Sequence, residues 1–294
     1  MPIASSLTPE SRFMALFVGP KHSGKTVAAC SWLSPPESKK RLKVLDNDGR
    51  IKGILGAPWI QKDRIDYDYF PPKQLGQDKT FFERVNADLD VLLNEVSSRR
   101  SPYETYVCDS LTSFCKNLIL DAIPLTHADK RGKSIGVMAM AGPADYGFES
   151  TGTDSYLSFL RSLNINIIVT AHVIEKYDKP MVIDDKGRSY KDVYAESVVV
   201  GEKLSLRDKI AANASLFFDH IFRFDRQMIY GKEHFFVEYV NDIACTSFSG
   251  LKPGKYDITD KNFKDFTLNL INSSNPTTDS IVNSTVSSTS GSGK

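Results

Sequence analysis

The chain has 294 residues, 41% hydrophobic and 25% charged, enough apolar material for a substantial core, which excludes a fibrous or globally disordered protein. Its 37 Lys and Arg balance 36 Asp and Glu for a formal net charge of +1, so no whole-chain field draws it to DNA or anionic lipid. No apolar run approaches a membrane span and no basic-then-apolar leader opens the chain, so a soluble, cytoplasmic protein without a membrane partner is expected. Cys30, Cys108, Cys115 and Cys245 sit in or beside apolar runs without metal-ligand spacing and read as reduced, mostly buried thiols.

The first predicted element is a buried strand over Arg12–Val18, stopped by Gly19-Pro20, followed by a helix over Lys25–Leu33. Leu42–Leu45 is a second short strand, closed by the polar turn Asp46-Asn47-Asp48-Gly49. Thr80–Arg99 carries apolar residues near the 3.6 period of a helix packed on a sheet, and Tyr106–Cys108 is another buried strand. Helical pattern resumes over Leu111–Ala122, the Gly/Ala/Met-rich stretch Thr126–Gly147 reads as a mobile loop, and a helix over Ser155–Leu163 leads into the strand Ile165–Thr170. Glu175–Glu196 reads as a hairpin turning at Lys186-Gly187. Strands are expected around Ile221–Phe224 and Phe235–Val240, with a turn at Tyr230-Gly231-Lys232. Residues 12–272 are expected to form the folded domain, after an N-terminal segment 1–11 and before a disordered Ser/Thr-rich tail, 273–294.

Gly19-Pro20-Lys21-His22-Ser23-Gly24-Lys25-Thr26 matches GxxxxGK[ST] at every fixed position and lies between a predicted strand and a predicted helix, as a P-loop requires. The glycines let the backbone wrap so that N–H groups around His22 to Thr26 converge on phosphate oxygens at a helix N-terminus. Lys25 then neutralises the β- and γ-phosphates and the Thr26 hydroxyl ligates Mg²⁺, which makes ATP and Mg²⁺ the expected cofactors. Asp109, ending an apolar strand, fits the carboxylate that supports the metal. Ser110, not Glu, follows it, so a base for water attack has to come from elsewhere.

The order of P-loop, strand ending Asp46-Asn47-Asp48, strand ending Asp109-Ser110 and strand ending Thr170-Ala171-His172 resembles the core of RecA-like recombinases. The resemblance implies an α/β RecA-like P-loop core with a mainly parallel central sheet and antiparallel C-terminal strands. It puts Asp48 at the catalytic base position and His172 at the γ-phosphate sensor position, where the family carries Gln. Lys25, Asp48, Asp109 and His172 are thus the expected catalytic residues. More closely, Leu45-Asp46-x-Asp48-Gly49-Arg50, Asp145-Tyr146-Gly147 and Phe218-Asp219-His220-Ile221-Phe222 resemble the compact bacteriophage ATPases grouped with Sak-type single-strand annealing proteins.

That likeness implies a DNA-recombination protein of a host cell's cytoplasm, with single-stranded DNA, a homo-oligomer and a single-strand-binding protein as partners. It points to Lys130, Arg131 and Lys133, then Lys176, Lys179, Lys186, Arg188 and Lys191, as DNA contacts, where phosphate binding would be salt-dependent and indifferent to sequence. Asp178, Asp184, Asp185 and Asp192 cancel much of the second cluster, so a merely solvated hairpin stays open there. At Asp48 a plain turn residue stays open, and at His172 a plain strand-end residue. Lys203, Arg207 and Arg223 are candidates for a cation acting on a neighbouring subunit. A nucleotide-dependent switch or assembly protein, a small-molecule kinase and a ring helicase or loader are the alternatives.

Overall fold

The computed structural model of the chain describes residues 12–57, 59–71, 79–98, 101–131, 141–183, 187–191, 194–239 and 254–267. The expected N-terminal segment, the Ser/Thr tail and Cys245 lie outside them.

β1 (Met14–Gly19) leads into α1 (Lys25–Cys30), and then come β2 (Arg41–Asp46), β3 (Ile65–Asp68), α2 (Phe81–Ser97) and β4 (Tyr103–Asp109). α3 (Leu111–Arg131) and α4 (Pro143–Ser162) precede β5 (Asn166–Asp178), β6 (Met181–Ile183), β7 (Ser189–Lys191), β8 (Val198–Leu204) and α5 (Asp208–Ala214). β9 (His220–Ile229), β10 (Lys232–Tyr239) and β11 (Gly254–Asp257) complete the described order. The main sheet has nine strands, in the order β11-β10-β9-β1-β5-β4-β2-β3 with β8 paired to β5. β9, β1, β5, β4, β2 and β3 run parallel, whereas β10, β11 and β8 are antiparallel additions. This is the expected α/β architecture, a mainly parallel central sheet with antiparallel strands added towards the C-terminal end.

Strand periodicity sorts the core. Met14, Leu16 and Val18 of β1 point to the face covered by α2, α3 and α4, where Phe81, Leu89, Phe114, Leu118, Tyr156 and Leu160 are buried. Ala15 and Phe17 point to the other face, among Ala28, Trp32, Ile51, Phe222, Phe224 and Phe263. Because both faces of the parallel strands are covered, β1, β4 and β5 read as nearly continuous apolar runs. All the parallel strands therefore present their carboxyl ends on one edge, the place where open α/β sheets bind ligands.

Several boundaries differ from the sequence expectation. The stretch read as a loop over Thr126–Gly147 is helical at both ends, since α3 continues to Arg131 and α4 begins at Pro143. Pro143 sits in the first turn of α4, where a missing N–H costs nothing, and the Asp145 carboxylate accepts the Gly142 N–H at 2.7 Å. α1 stops at Cys30, three residues early, which lets Trp32 and Leu33 turn into the core. β5 does not end at Thr170 but runs on to Asp178, its second half pairing with β8, so the expected single hairpin is a long strand pair enclosing the small β6–β7 hairpin. β3, with Asp66 and Asp68 at alternate positions, was not expected; Arg41 and Lys43 of β2 pair with those carboxylates along the sheet edge. Among the described residues no helix is long and apolar enough to cross a membrane.

α2 opens with a reciprocal cap: the Thr80 hydroxyl accepts the Glu83 N–H at 3.1 Å, and the Glu83 carboxylate accepts the Thr80 N–H at 2.7 Å. Thr80→Ala removes one of these bonds and is expected to lower unfolding stability by about 1 kcal/mol, read from the midpoint of a urea titration.

Candidate active site

The loop between β1 and α1 takes its shape from two glycines. Gly19 has φ 155°, and a side chain there would begin 2.2 Å from the Phe224 carbonyl oxygen, so only glycine fits beside β9. Gly24 has φ 88° and ends the loop at the first residue of α1. Lys21 and His22 are exposed at the loop's crest, and His22, at φ 62°, contributes a turn of backbone. Ser23 is buried and its hydroxyl donates to the Pro20 carbonyl at 2.9 Å. The Lys25 ammonium is buried and donates to the Gly19 and Pro20 carbonyls at 2.8 and 2.7 Å. Burial lowers its pKa to about 8 against the opposing pull of Asp109 and Asp48.

Asp109 lies at the carboxyl end of β4, only 3% exposed. The Thr26 hydroxyl donates to its Oδ2 at 2.9 Å and the Thr170 hydroxyl donates to its Oδ1. Burial raises this carboxyl, the Thr170 bond opposes the rise, the Asp48 charge adds to it, and the pKa reaches about 6. The Asn47 N–H donates to the Asp109 carbonyl at 2.6 Å, tying the tip of β2 to the tip of β4. Thr26 and Asp109 are hard oxygen donors side by side beneath the loop, a set that suits Mg²⁺ completed by water and phosphate oxygens. Among the described residues no group of three or more His, Cys, Asp or Glu forms a metal cage.

Asp46 and Asp48 divide the labour of the β2 tip. Asp46 is buried and accepts the N–H groups of Arg50 and Ile51 at 3.1 and 2.9 Å, capping the short turn Ile51–Ile54. Asp48 faces the cleft. Its Oδ2 stands 3.2 Å from His172 Nε2, at the point where β5 leaves β1 and β4, and its Oδ1 accepts the Ser113 hydroxyl. Burial would raise the Asp48 carboxyl, but the bonds from His172 and Ser113, with the charges of His172 and Arg50, outweigh it and bring it down to about 2. The His172 N–H of the main chain donates to the Thr112 hydroxyl at 3.0 Å, and its ring Nδ1 is buried without a hydrogen-bond partner.

The cleft has a volume of about 730 Å³ and is lined by Lys21 to Thr26, Asp48, Asp109 and His172. Thus all four expected catalytic residues meet in one place, while Gly19 and Pro20 support the loop from behind. Sequence reasoning gave no role to Thr170, Asn47 and Ser113; Thr170 stood in a quoted motif, but which strand it would face depends on β5 lying between β1 and β4.

The expected DNA contacts are elsewhere. Lys130 and Arg131 fall in the last turn of α3, and Lys133 and Lys186 lie outside the described residues. Lys176 stands on the projecting half of β5, Lys179 just after it and Arg188 just before β7, none of them lining the cleft. Lys191 pairs with Asp178 at 2.6 Å, and the Lys179 ammonium donates to the Ala195 carbonyl. The three candidates for action on a neighbouring subunit are each engaged within the chain. Lys203 faces Asp208 at 3.7 Å, Arg207 lies 3.6 Å from Glu149 and 3.7 Å over the Tyr146 ring, and Arg223 bridges Glu202 and Glu238. Cys30, Cys108 and Cys115 are buried free thiols, each pushed up by burial, in line with inert thiols.

No family model matches the chain, and no curated protein matches it. Among solved structures it is similar to a KaiC-like protein from the hyperthermophilic archaeon Pyrococcus horikoshii OT3, at 12% identity and a TM-score of 0.46, over 84% of this chain and 85% of that one.

A metal supported by Asp109 requires its carboxylate form. With the pKa raised to about 6, the group is ionised above that value and takes up a proton as pH falls through it. Mg²⁺ affinity, measured by titration calorimetry, is expected to fall about tenfold between about pH 7 and about pH 5.

Proposed function

We propose that the chain is a Mg²⁺-dependent RecA-like ATPase that couples nucleotide turnover to single-stranded DNA in annealing or strand exchange. The observation that carries the ATPase part is the meeting of Lys25, Thr26, Asp109, Asp48 and His172 in one cleft at the carboxyl ends of β1, β4 and β2 and the midpoint of β5. The N–H groups of His22 to Thr26 cradle phosphate oxygens, and Lys25 exchanges the Gly19 and Pro20 carbonyls for the β- and γ-phosphates. Thr26 and Asp109 hold Mg²⁺, which when bound draws off charge developing on the phosphates. Asp48 faces the attacking water and takes its proton, while His172 holds the Asp48 carboxylate in place.

The DNA part rests on the resemblance of the motifs and on the second half of β5, which carries Lys176 and exposed Tyr177, with Lys179 just after it, outside the lining of the cleft. Lysines grip phosphates and a tyrosine stacks on bases, the chemistry of sequence-tolerant single-strand binding. The chain acts as a homo-oligomer, with a single-strand-binding protein as a further partner.

One observation favours a second reading, a nucleotide switch with very slow turnover. Asp48 already accepts hydrogen bonds at both oxygens, and a carboxylate held down to about 2 is a weak base.

Steady-state hydrolysis of Mg-ATP, with and without single-stranded DNA at two salt concentrations, separates the readings. For the DNA-coupled ATPase, DNA stimulates turnover, salt weakens the stimulation, Lys25→Ala abolishes it and Asp48→Asn lowers kcat about 10²- to 10⁴-fold. ATP binding without a DNA response overturns the coupling and leaves the switch.

A further inference from the structure

The cleft does not end at the phosphate-binding loop. Its lining also holds two groups of apolar residues, with charged Arg226, Glu233 and Lys261 among them. One wall is Ile54, Ala57 and Trp59, in the segment after β2, and the other is Phe235 of β10 with Ile258 just after β11. The second wall abuts the loop itself, since a side chain at Gly24 would begin 3.3 Å from Phe235 Cδ1. It is also built as one piece: the Ile258 N–H donates to the Phe235 carbonyl at 2.8 Å, and the Phe235 N–H donates to the Thr259 hydroxyl at 2.9 Å. Trp59 is half-buried, packed on the core beneath while lining the cleft.

These groups add nothing to phosphate binding or to proton transfer. Apolar walls of this kind gain free energy from a flat, poorly hydrated ring slid between them, and an indole adds stacking that any heteroaromatic base accepts. Phe235 stands against the last glycine of the loop and Trp59 lines the same cleft, so a ring attached to a phosphate chain needs no second site.

We propose that Trp59 and the Phe235–Ile258 wall form the nucleobase subsite of this cleft, with Trp59 as the stacking residue that makes a nucleoside triphosphate bind better than its phosphates alone. The inference rests on the reading of the loop as a nucleoside triphosphate site, and its test keeps the two apart.

Binding of Mg-ATP and of Mg-tripolyphosphate, which lacks sugar and base, would be measured by calorimetry and by tryptophan emission in the wild type, Trp59→Phe, Trp59→Ala and Lys25→Ala. The chain has two tryptophans, and Trp32 is buried in the core, so a change on binding reports Trp59. ATP is expected to change the emission and tripolyphosphate to leave it alone. Trp59→Ala should weaken ATP about ten- to a hundredfold without changing tripolyphosphate, Trp59→Phe should recover most of the loss, and Lys25→Ala should weaken both. Trp59→Ala binding ATP as the wild type does, or losing both ligands equally, overturns the subsite. A wild type that binds neither ligand overturns the nucleotide reading itself, and the subsite with it.

Discussion

A carboxylate taken out of water has to be paid for in hydrogen bonds, and the burial of Asp109 organises this site around that requirement. Its two oxygens accept hydroxyls from Thr26 on α1 and from Thr170 on β5, while its carbonyl accepts the N–H of Asn47 at the end of β2. Those contacts tie the first turn of the helix after the P-loop and the tips of β2 and β5 to one point at the end of β4. Strand order makes this possible: β5 separates β1 from β4, so Thr170 reaches Asp109 from one side while the loop after β1 arches over from above. Even so, two hydroxyls do not fully offset the desolvation, since the carboxyl remains raised. A divalent cation held beside Thr26 and Asp109, as proposed, would supply the missing positive charge, and its binding would then be linked to the local stability of the site.

Asp48 shows the opposite balance. It too is largely removed from water, yet the bonds from His172 and Ser113 more than compensate, and its pKa falls below that of a free carboxylate. Two aspartates in one cleft are thereby pushed apart, one towards proton uptake by burial and one away from it by the donors His172 and Ser113. The same donors that fix Asp48 also blunt its basicity. Under the proposed role of Asp48 as base, fast turnover would require something to draw His172 or Ser113 away from it.

How much of this was legible in the sequence follows the range of the interactions. The P-loop is a local object, with glycines, lysine and threonine within eight residues, and it reads correctly from residues alone. Strands buried on both faces are also local signals, which is why β1, β4 and the first half of β5 were found. β3 was not, because alternating Asp66 and Asp68 look like a polar loop until Arg41 and Lys43 of β2 are beside them. The outer half of β5 was taken for one arm of a short hairpin because its Glu, Lys and Asp carry no apolar alternation, and its partner β8 is supplied from some twenty residues away. The helical ends of the segment between α3 and α4 were masked by glycine- and alanine-rich composition, although Gly142, Pro143 and Asp145 together spell a helix start. Thr170 and Ser113 are ordinary residues in sequence; only the sheet order and the docking of α3 bring them to the two carboxylates.

β5 gives the cleft a physical route outward. It is a single 13-residue strand whose first half is held in the core between β1 and β4 and whose second half pairs only with β8. His172 sits at the change of partners, where its ring faces Asp48, its N–H donates to Thr112 and its carbonyl accepts the Ser205 N–H at 2.7 Å. β5 runs unbroken through this residue, and Ser205, the residue after β8, is bonded to it, so both strands of the projecting pair are tied to one point. Just beyond, Arg207 lies over the Tyr146 ring and beside the buried Glu149 carboxylate, whose own pKa is raised by burial. The segment just after β8, at the end of the strand next to His172, is therefore anchored to α4 by a contact in which a buried charge depends on one arginine, and releasing that arginine leaves Glu149 uncompensated. Motion of the projecting strands is thus constrained at two points, His172 and Arg207, of which only the first faces the cleft.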